Sequence, residues 1–415
     1  MQLSERHIIK EDHLYFKECD NITFKSKNLY NSCLYTIRQP FINDNVNVSF
    51  DLHHLIKNHE AYKELPAKVS SSVILMVQKN FKSYFKATSA FYKTPEKFKG
   101  KPKLPYYLNK LDGRFVASYT NQAISKISFN KYKKIKLSNT NIELNTKIKQ
   151  FTDIDCVRIV PKLGYFVIEV IYTIPDTPLL EDNNNYLGID LGINNLATLS
   201  SNEKSFKPII INGKPLKSIN QFYNKKLSKI KSTLEVRNKK SKSKKLYKLT
   251  NKRHFKVETY LHKASKEIVK LAKNNNINTI IVGKNEQWKQ NINIGKVNNQ
   301  KFVSIPHSRF IEMIQYKCEK EGLNFKINEE SYTSKASFLD LDEIPTYNSK
   351  NKETYNFSGY RKYRGLYKSK ITGKQINADV NGSYNIIRKA IPNVFKNDGI
   401  EGVGVHPIIK QISFN

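Results

Sequence analysis

The stretch Tyr186-Leu187-Gly188-Ile189-Asp190-Leu191-Gly192-Ile193-Asn194-Asn195-Leu196-Ala197-Thr198-Leu199-Ser200 reads as a strand, a tight Gly/Asn turn and a returning strand. A single acid, Asp190, interrupts its apolar run. Burying that carboxylate as an anion is costly unless a positive charge or hydrogen-bond donors meet it. From this segment alone Asp190 is either a turn-capping carboxylate at a hairpin corner or a metal ligand. A second acid bears on the choice. In Ile376-Asn377-Ala378-Asp379-Val380-Asn381-Gly382-Ser383-Tyr384-Asn385-Ile386-Ile387-Arg388-Lys389, Asp379 opens an apolar-periodic helix, where it could also be an ordinary N-terminal cap. Two carboxylates, one on a strand and one at a helix start, suit a hard divalent cation such as Mg²⁺.

Charge sets the partner class. Lys and Arg total 71 against 36 Asp and Glu, a net charge of +35 over 415 residues. Such a field binds polyanions. The sequence shows no apolar run of transmembrane length, signal peptide or lipidation motif, so no membrane partner is expected. Nucleic acid is the favoured partner; the 24 Tyr and 22 Phe serve mainly core packing, with some left to stack on unpaired bases. Cys19, Cys33, Cys156 and Cys318 are scattered and form no CxxC pair. Neither a disulfide framework nor a zinc site follows from that spacing, and reduced thiols in a cytoplasmic, nucleoid-associated protein are expected.

Taken in order, residues 1 to about 22 alternate as one or two strands, and the pattern then turns helical to about Tyr92. A Pro/Lys-rich connector, Pro95 to Pro105, leads to short strand patterns that include Ile127-Ser128-Phe129 and suggest a small barrel or sandwich. After the opening hairpin comes a third strand, Pro208 to Gly213, and then a helical pair from about Leu216 to Asn274. That pair holds about 20 Lys or Arg and only three acids. Such a single-sign run fits contact with a nucleic-acid backbone better than a merely solvated face. Next come a buried strand, Thr279-Ile280-Ile281-Val282-Gly283, a loop with Trp288, a helix from about His307, and a strand from Leu323 that leads to Glu329-Glu330. This is the element order of an RNase H core.

The strand Gly188-Ile189-Asp190-Leu191-Gly192, the stretch Tyr332-Thr333-Ser334-Lys335 and the helix start Asn377-Ala378-Asp379-Val380-Asn381 together resemble the TnpB family, transposon-encoded RNA-guided DNA endonucleases related to type V CRISPR effectors. The likeness is specific over about residues 186 to 390 and looser before that, where Lys27-Asn28-Leu29-Tyr30-Asn31 carries it. It implies an α+β multidomain chain: a wedge-like β-barrel from residues 1-22 and 95-180, a helical recognition insert at 23-94, a RuvC-like nuclease domain at 183-395 and a weakly ordered tail at 396-415. It further implies a guide RNA from the element's own transcript, a double-stranded DNA target, and two Mg²⁺ held by Asp190, Asp379 and a third carboxylate. Family members usually carry a four-cysteine zinc ribbon. Residues 331 to 378 contain no cysteine, so no structural zinc is expected, and Tyr360-Arg361-Lys362-Tyr363-Arg364-Gly365-Leu366-Tyr367 is left as a ribbon-like or simply basic loop.

The family's usual middle glutamate is also missing: its position holds Gly283. Three acids are candidates to replace it. Glu286 lies in the following loop, whereas Glu330 ends the next strand, one strand spacing of roughly 4.8 Å further out. Some relatives of the family carry a glutamate relocated by about this separation, and a rigid element holds a ligand better than a loop does. Glu330 is therefore expected as the third carboxylate, with Glu329 pointing the opposite way if the strand persists. A nuclease-dead, RNA-guided DNA-binding repressor of the same fold is the rival reading, and an RNA-independent DNA transposase a weaker third. Both guided readings predict that protein purified at low salt from cells expressing the flanking transcript carries a structured RNA, which salt releases steeply. Sequencing of the co-purified nucleic acid checks this, and a nucleic-acid-free preparation would count against both.

Overall fold

The computed structural model describes residues 1–43, 51–238, 242–285, 304–347, 354–395 and 401–414. The chain is a mixed α+β protein of two compact units, Met1–Pro175 and Asp176–Asn415.

In the first unit β1 (Gln2–Ile9) is followed by α1 (Phe16–Asn43), two short helices α2 (Leu52–Ile56) and α3 (Glu60–Lys63), and the long α4 (Ala67–Lys93). Then come β2 (Ala117–Thr120), α5 (Lys126–Tyr132), the ribbon of β3 (Lys134–Lys136) and β4 (Glu143–Asn145), β5 (Ile154–Lys162) and β6 (Tyr165–Thr173). Four strands pair as an antiparallel sheet in the order β1-β6-β5-β2, with α1 and α4 sharing its apolar core. Within α1 the Lys27 to Asn31 stretch ties down the connector behind α4. The Asn31 amide exchanges two 2.9 Å hydrogen bonds with the Leu108 backbone, and Lys27 Nζ donates to the Lys110 carbonyl at 2.7 Å.

Two sequence expectations are corrected here. Helix α1 begins at Phe16, so Tyr15 and Phe16 pack from a helix start and not from a strand. Ile127-Ser128-Phe129 is helical: Ser125 caps the turn by accepting from Ser128 N at 3.2 Å, and Ile127 points outward while Ser128 and Phe129 are buried, a spacing alternation cannot produce.

The second unit opens with β7 (Tyr186–Leu191), β8 (Asn195–Ser201) and β9 (Ile209–Asn212), then α6 (Lys214–Asn238), α7 (Lys244–Asn274) and β10 (Thr279–Gly283). These are followed by α8 (His307–Glu321), β11 (Asn324–Asn328), three strands β12 (Gly359–Tyr363), β13 (Leu366–Ser369) and β14 (Gln375–Asn377), α9 (Ala378–Ala390) and β15 (Ile408–Lys410). The six-stranded sheet runs β11-β10-β7-β8-β9-β15. β7, β8 and β9 are antiparallel neighbours, while β10 and β11 add in parallel on the other side of β7. This is the RNase H arrangement. The expected weakly ordered tail instead contributes β15, parallel to β9.

Side-chain alternation divides the sheet into two faces. Leu187, Ile189 and Leu191 pack with α7 and α8, whereas Tyr186 and Ile281 share the opposite core with Val380, Tyr384 and Ile387 of α9. Asp190 therefore belongs to the α9 face. The cysteine-free segment folds as the sheet β12-β13-β14 and is closed by acids and hydroxyls. Asp340 accepts from the Ser337 and Ser369 hydroxyls, each at 2.6 Å, and Asp342 accepts from Ser337 N at 2.7 Å and from the Ser358 hydroxyl.

Helix α9 lies directly on β7. A Cβ at Gly188 would collide with the Ser383 carbonyl and stand 2.6 Å from Ile387 Cγ1. Both neighbours are fixed by the helix, so Gly188→Ala is expected to lower unfolding free energy by about 1–3 kcal/mol. Chemical denaturation of the variant against the parent measures it.

Candidate active site

Asp190 is paired within the β7–β8 ladder, opposite Thr198 and one pair before the turn, so it is a strand residue and not a turn cap. Its Oδ2 occupies the space that a side chain at position 382 would need, 2.9 Å from an ideal Cβ there. The glycine in α9 is thus what lets the carboxylate reach the helix. Asp379 enters from that helix. It is not the cap: Asn377 Oδ1 accepts from the amides of Asp379 and Val380, at 3.0 and 3.2 Å. The Asp379 carboxylate is released to face Asn195, whose Nδ2 donates to its Oδ2 at 2.6 Å. Arg361, from β12, approaches Asp379 Oδ1 at 3.9 Å. The first turn of a helix also favours an anion through the helix dipole.

The third acid follows β11. Gly283, the last residue of β10, pairs with Asn328, so Glu330 lies two residues beyond the ladder. Its side chain folds back over the glycine. An ideal Cβ at position 283 would stand 2.7 Å from Glu330 Oε2 and 2.5 Å from Ile386 Cδ1. The carboxylate thus lies beside the α-carbon of residue 283, in space that a side chain there would need. β11 ends at Asn328, short of the strand end expected at Glu330, so alternation does not govern the two glutamates; Glu329 pairs with Lys389 of α9. Glu286 and the Trp288 loop lie outside the described residues.

Asp190, Asp379 and Glu330 interact electrostatically. Asp190 lies deep among protein atoms with an opening to solvent, and its carboxyl is pushed well above the usual range by burial, then by Asp379 and Glu330, with Arg361 opposing. Glu330 is raised to about 7, first by burial and then by Glu329, against Lys389. Like charges crowd toward one place, with oxygen as the common donor atom. That set fits a hard divalent cation. The carboxylates approach without closing into a cage: among the described residues no three His, Cys, Asp or Glu are gathered tightly enough to hold a metal ion as they stand.

Four supporting residues escaped sequence reasoning. Asn195 belongs to the opening motif but reads only as a turn residue, and Arg361 only as part of a basic loop. Asn285 Oδ1 accepts from Glu330 N at 3.0 Å. Lys389 closes the Asp379 helix motif; its Nζ, on a side chain 8% exposed, donates to Glu329 and to the carbonyls of Ser331 and Pro345 at 2.8 and 3.0 Å. It thereby grips the chain on both sides of Glu330.

Residues 169–289 match the OrfB_IS605 family model, described as a probable transposase, and residues 307–386 match the Cas12f1-like TNB domain. The chain is TnpB-like. The two matched segments take in Asp190, Glu330 and Asp379 together with the cysteine-free sheet of this TnpB-like chain. Comparison with curated proteins gives no match. Among solved structures, a Cas12f1-sgRNA-target DNA complex aligns at 15% identity over 92% of this chain and 98% of its own, with a TM-score of 0.35. A CRISPR-Cas12f ternary complex gives 14%, 89%, 82% and 0.36, and the mini-RNA-guided endonuclease Cas_phi3 gives 9%, 98%, 94% and 0.49. The fold assignment rests on sheet order, not on these distant alignments.

Lys389→Met keeps the side chain's bulk and removes its three donors. The carbonyls of Ser331 and Pro345 would be left unpaired, and a loss of about 1–3 kcal/mol in stability is expected. Faster amide exchange around residues 328–334 than elsewhere in the second unit is the accompanying measurement.

Proposed function

We propose that the protein is a divalent-metal-dependent, RNA-guided DNA endonuclease of a transposable element. One observation carries the reading. Glu330 Oε2 lies where a Cβ of residue 283 would be in contact, on the sheet face to which Asp190 and Asp379 also turn. The site can therefore be complete although its usual middle glutamate is a glycine.

Asp190, Glu330 and Asp379 would hold the cations, two in this reading. When bound, such ions supply an activated water and neutralise charge on the leaving oxygen of a phosphodiester. The protein's own part is to hold three oxygen donors apart from competing partners. Asn195 takes one oxygen of Asp379 and fixes its plane, Asn285 and Lys389 fix the backbone around Glu330, and Gly188 and Gly382 set the depth of Asp190 under the helix. Crowded like charges keep the free site strained toward a cation. The basic surface would hold a guide RNA, whose pairing with one DNA strand reads most of the sequence; the protein itself would read a short adjacent duplex motif. Among the described residues no helix is long and apolar enough to cross a membrane.

The rival repressor reading drew its support from Gly283. The placement of Glu330 over that glycine favours the nuclease instead. Asp190→Ala, Glu330→Ala and Asp379→Ala are each expected to abolish Mg²⁺-dependent cleavage of guide-matched DNA while leaving guide-dependent binding nearly intact, since affinity rests on base pairing and on basic residues elsewhere. Glu286→Ala should be tolerated. A wild-type complex that binds its target and never cuts would establish the repressor, and cleavage surviving in Glu330→Ala would remove that residue from the site.

A further inference from the structure

The basic helical pair carries a feature that phosphate contact alone does not explain. Between α6 and α7 lies an open cleft of about 280 Å³ lined by Ile219, Phe222 and Tyr223 on one wall and by Lys252, Arg253 and Lys256 on the other. Its lining contains no acid. Phe222 is 57% exposed, and Lys226 Nζ stands 5.8 Å from its ring centroid. The remaining aromatic wall is held in place. The Tyr223 hydroxyl meets Thr250 Oγ1 at 3.3 Å, and the guanidinium of Arg253 lies 5.8 Å from the Tyr223 ring while its Nε donates to Asn220 Oδ1 at 2.8 Å. Lys252 and Lys256 have no acid partner among the described residues. An aromatic slot with a cationic rim fits a flat ring on an anionic chain, which is an unpaired nucleotide.

The start of α6 is tied to the turn that carries Asn195. Lys217, at the start of α6, donates from Nζ to Asn194 Oδ1 at 3.2 Å, and Gly213 N donates to the Asn194 carbonyl at 2.7 Å. The next residue, Asn195, holds Asp379. Phe222 lies five residues along the helix from Lys217, roughly 7 to 8 Å of rise. Stacked nucleotides advance roughly 3.4 Å each. That rise equals about two stacked nucleotides between the start of α6, beside the turn that carries Asn195, and the cleft.

We infer that the cleft between α6 and α7 is a subsite for one unpaired base of the DNA strand being cut, stacked on Phe222 with its flanking phosphates on Lys252 and Lys256. The inference rests on the nuclease reading for its choice of strand, and its first test does not require cutting. The full chain with its RNA is mixed with a target whose DNA strands carry 2-aminopurine at one scanned position at a time. Fluorescence should be quenched at a position a few nucleotides from the cut, lost in Phe222→Ala and restored in Phe222→Trp. Cleavage by Phe222→Ala should fall by about 5- to 150-fold, the range for one stacked base, and an abasic nucleotide at the quenched position should then cost nothing further. Lys252→Ala combined with Lys256→Ala should weaken DNA binding at every sequence and lower its salt dependence by about two ion equivalents.

Quenching that is unchanged in Phe222→Ala overturns the subsite. So does a variant that loses its co-purified RNA while the DNA quench persists, because the cleft would then serve the guide. A chain that shows Phe222-dependent quenching and never cuts upholds the base subsite and refutes the nuclease reading alone.

Discussion

The contact of α9 with β7 is the constraint on which the second unit depends. At Gly188 the helix backbone touches the strand without an intervening side chain, and Ser383 Oγ donates to the Gly188 carbonyl at 2.8 Å while accepting from Ser200 Oγ at 2.8 Å. A helix seated so closely brings its first turn beside the strand's acid. It also reaches outward: the buried amides of Asn381 and Asn385 donate to the Ala336 carbonyl, Asn385 donates to the Thr333 carbonyl, and the Tyr384 hydroxyl donates to the Gly404 carbonyl. One helix therefore orients the segment after Glu330, the cysteine-free sheet and the tail.

Those buried amides matter because the site they support is electrostatically unfavourable by itself. Three acids approach one another in a partly closed space, and burial and mutual repulsion both act on Asp190. Without rigid surroundings the side chains would turn away toward water. Neutral side chains do most of the holding: Asn195 donates to Asp379, while Asn285 accepts from the Glu330 amide and Asn377 from the Asp379 amide. The nearest cation, Arg361, stops at 3.9 Å from Asp379, and Lys389 pairs with Glu329 instead of Glu330. Among the described residues, no lysine forms an ion pair with Asp190, Glu330 or Asp379.

How much of this was legible in the sequence follows from the range of each interaction. The β7 alternation, the helical pair and the strand that ends at Gly283 are local patterns, and the sheet order follows from them once parallel and antiparallel neighbours are assigned. Ile127-Ser128-Phe129 failed because three residues fit either period, and the deciding signal was the Ser125 cap. The tail failed because β15 has only three residues and gains its stability from β9, almost 200 positions earlier. Asp190 and Asp379 were legible as acids in apolar settings. Glu330 was reached through the resemblance and the empty position at 283. Asn195 and Lys389 carry no local signal, since their partners lie 184 and 60 positions away.

The exchange between positions 283 and 330 has a consequence for how such a site can change over generations. Glu330 occupies the volume beside the α-carbon of residue 283, so each position's tolerance depends on the other's occupant. A chain with glutamate at both would crowd two carboxylates and Ile386 into one space. A chain with neither would lack the third acid. The two positions are therefore coupled by packing: what one can hold depends on the side chain at the other. Position-by-position comparison would find no acid at 283, while Glu330 brings a carboxylate to the space beside it.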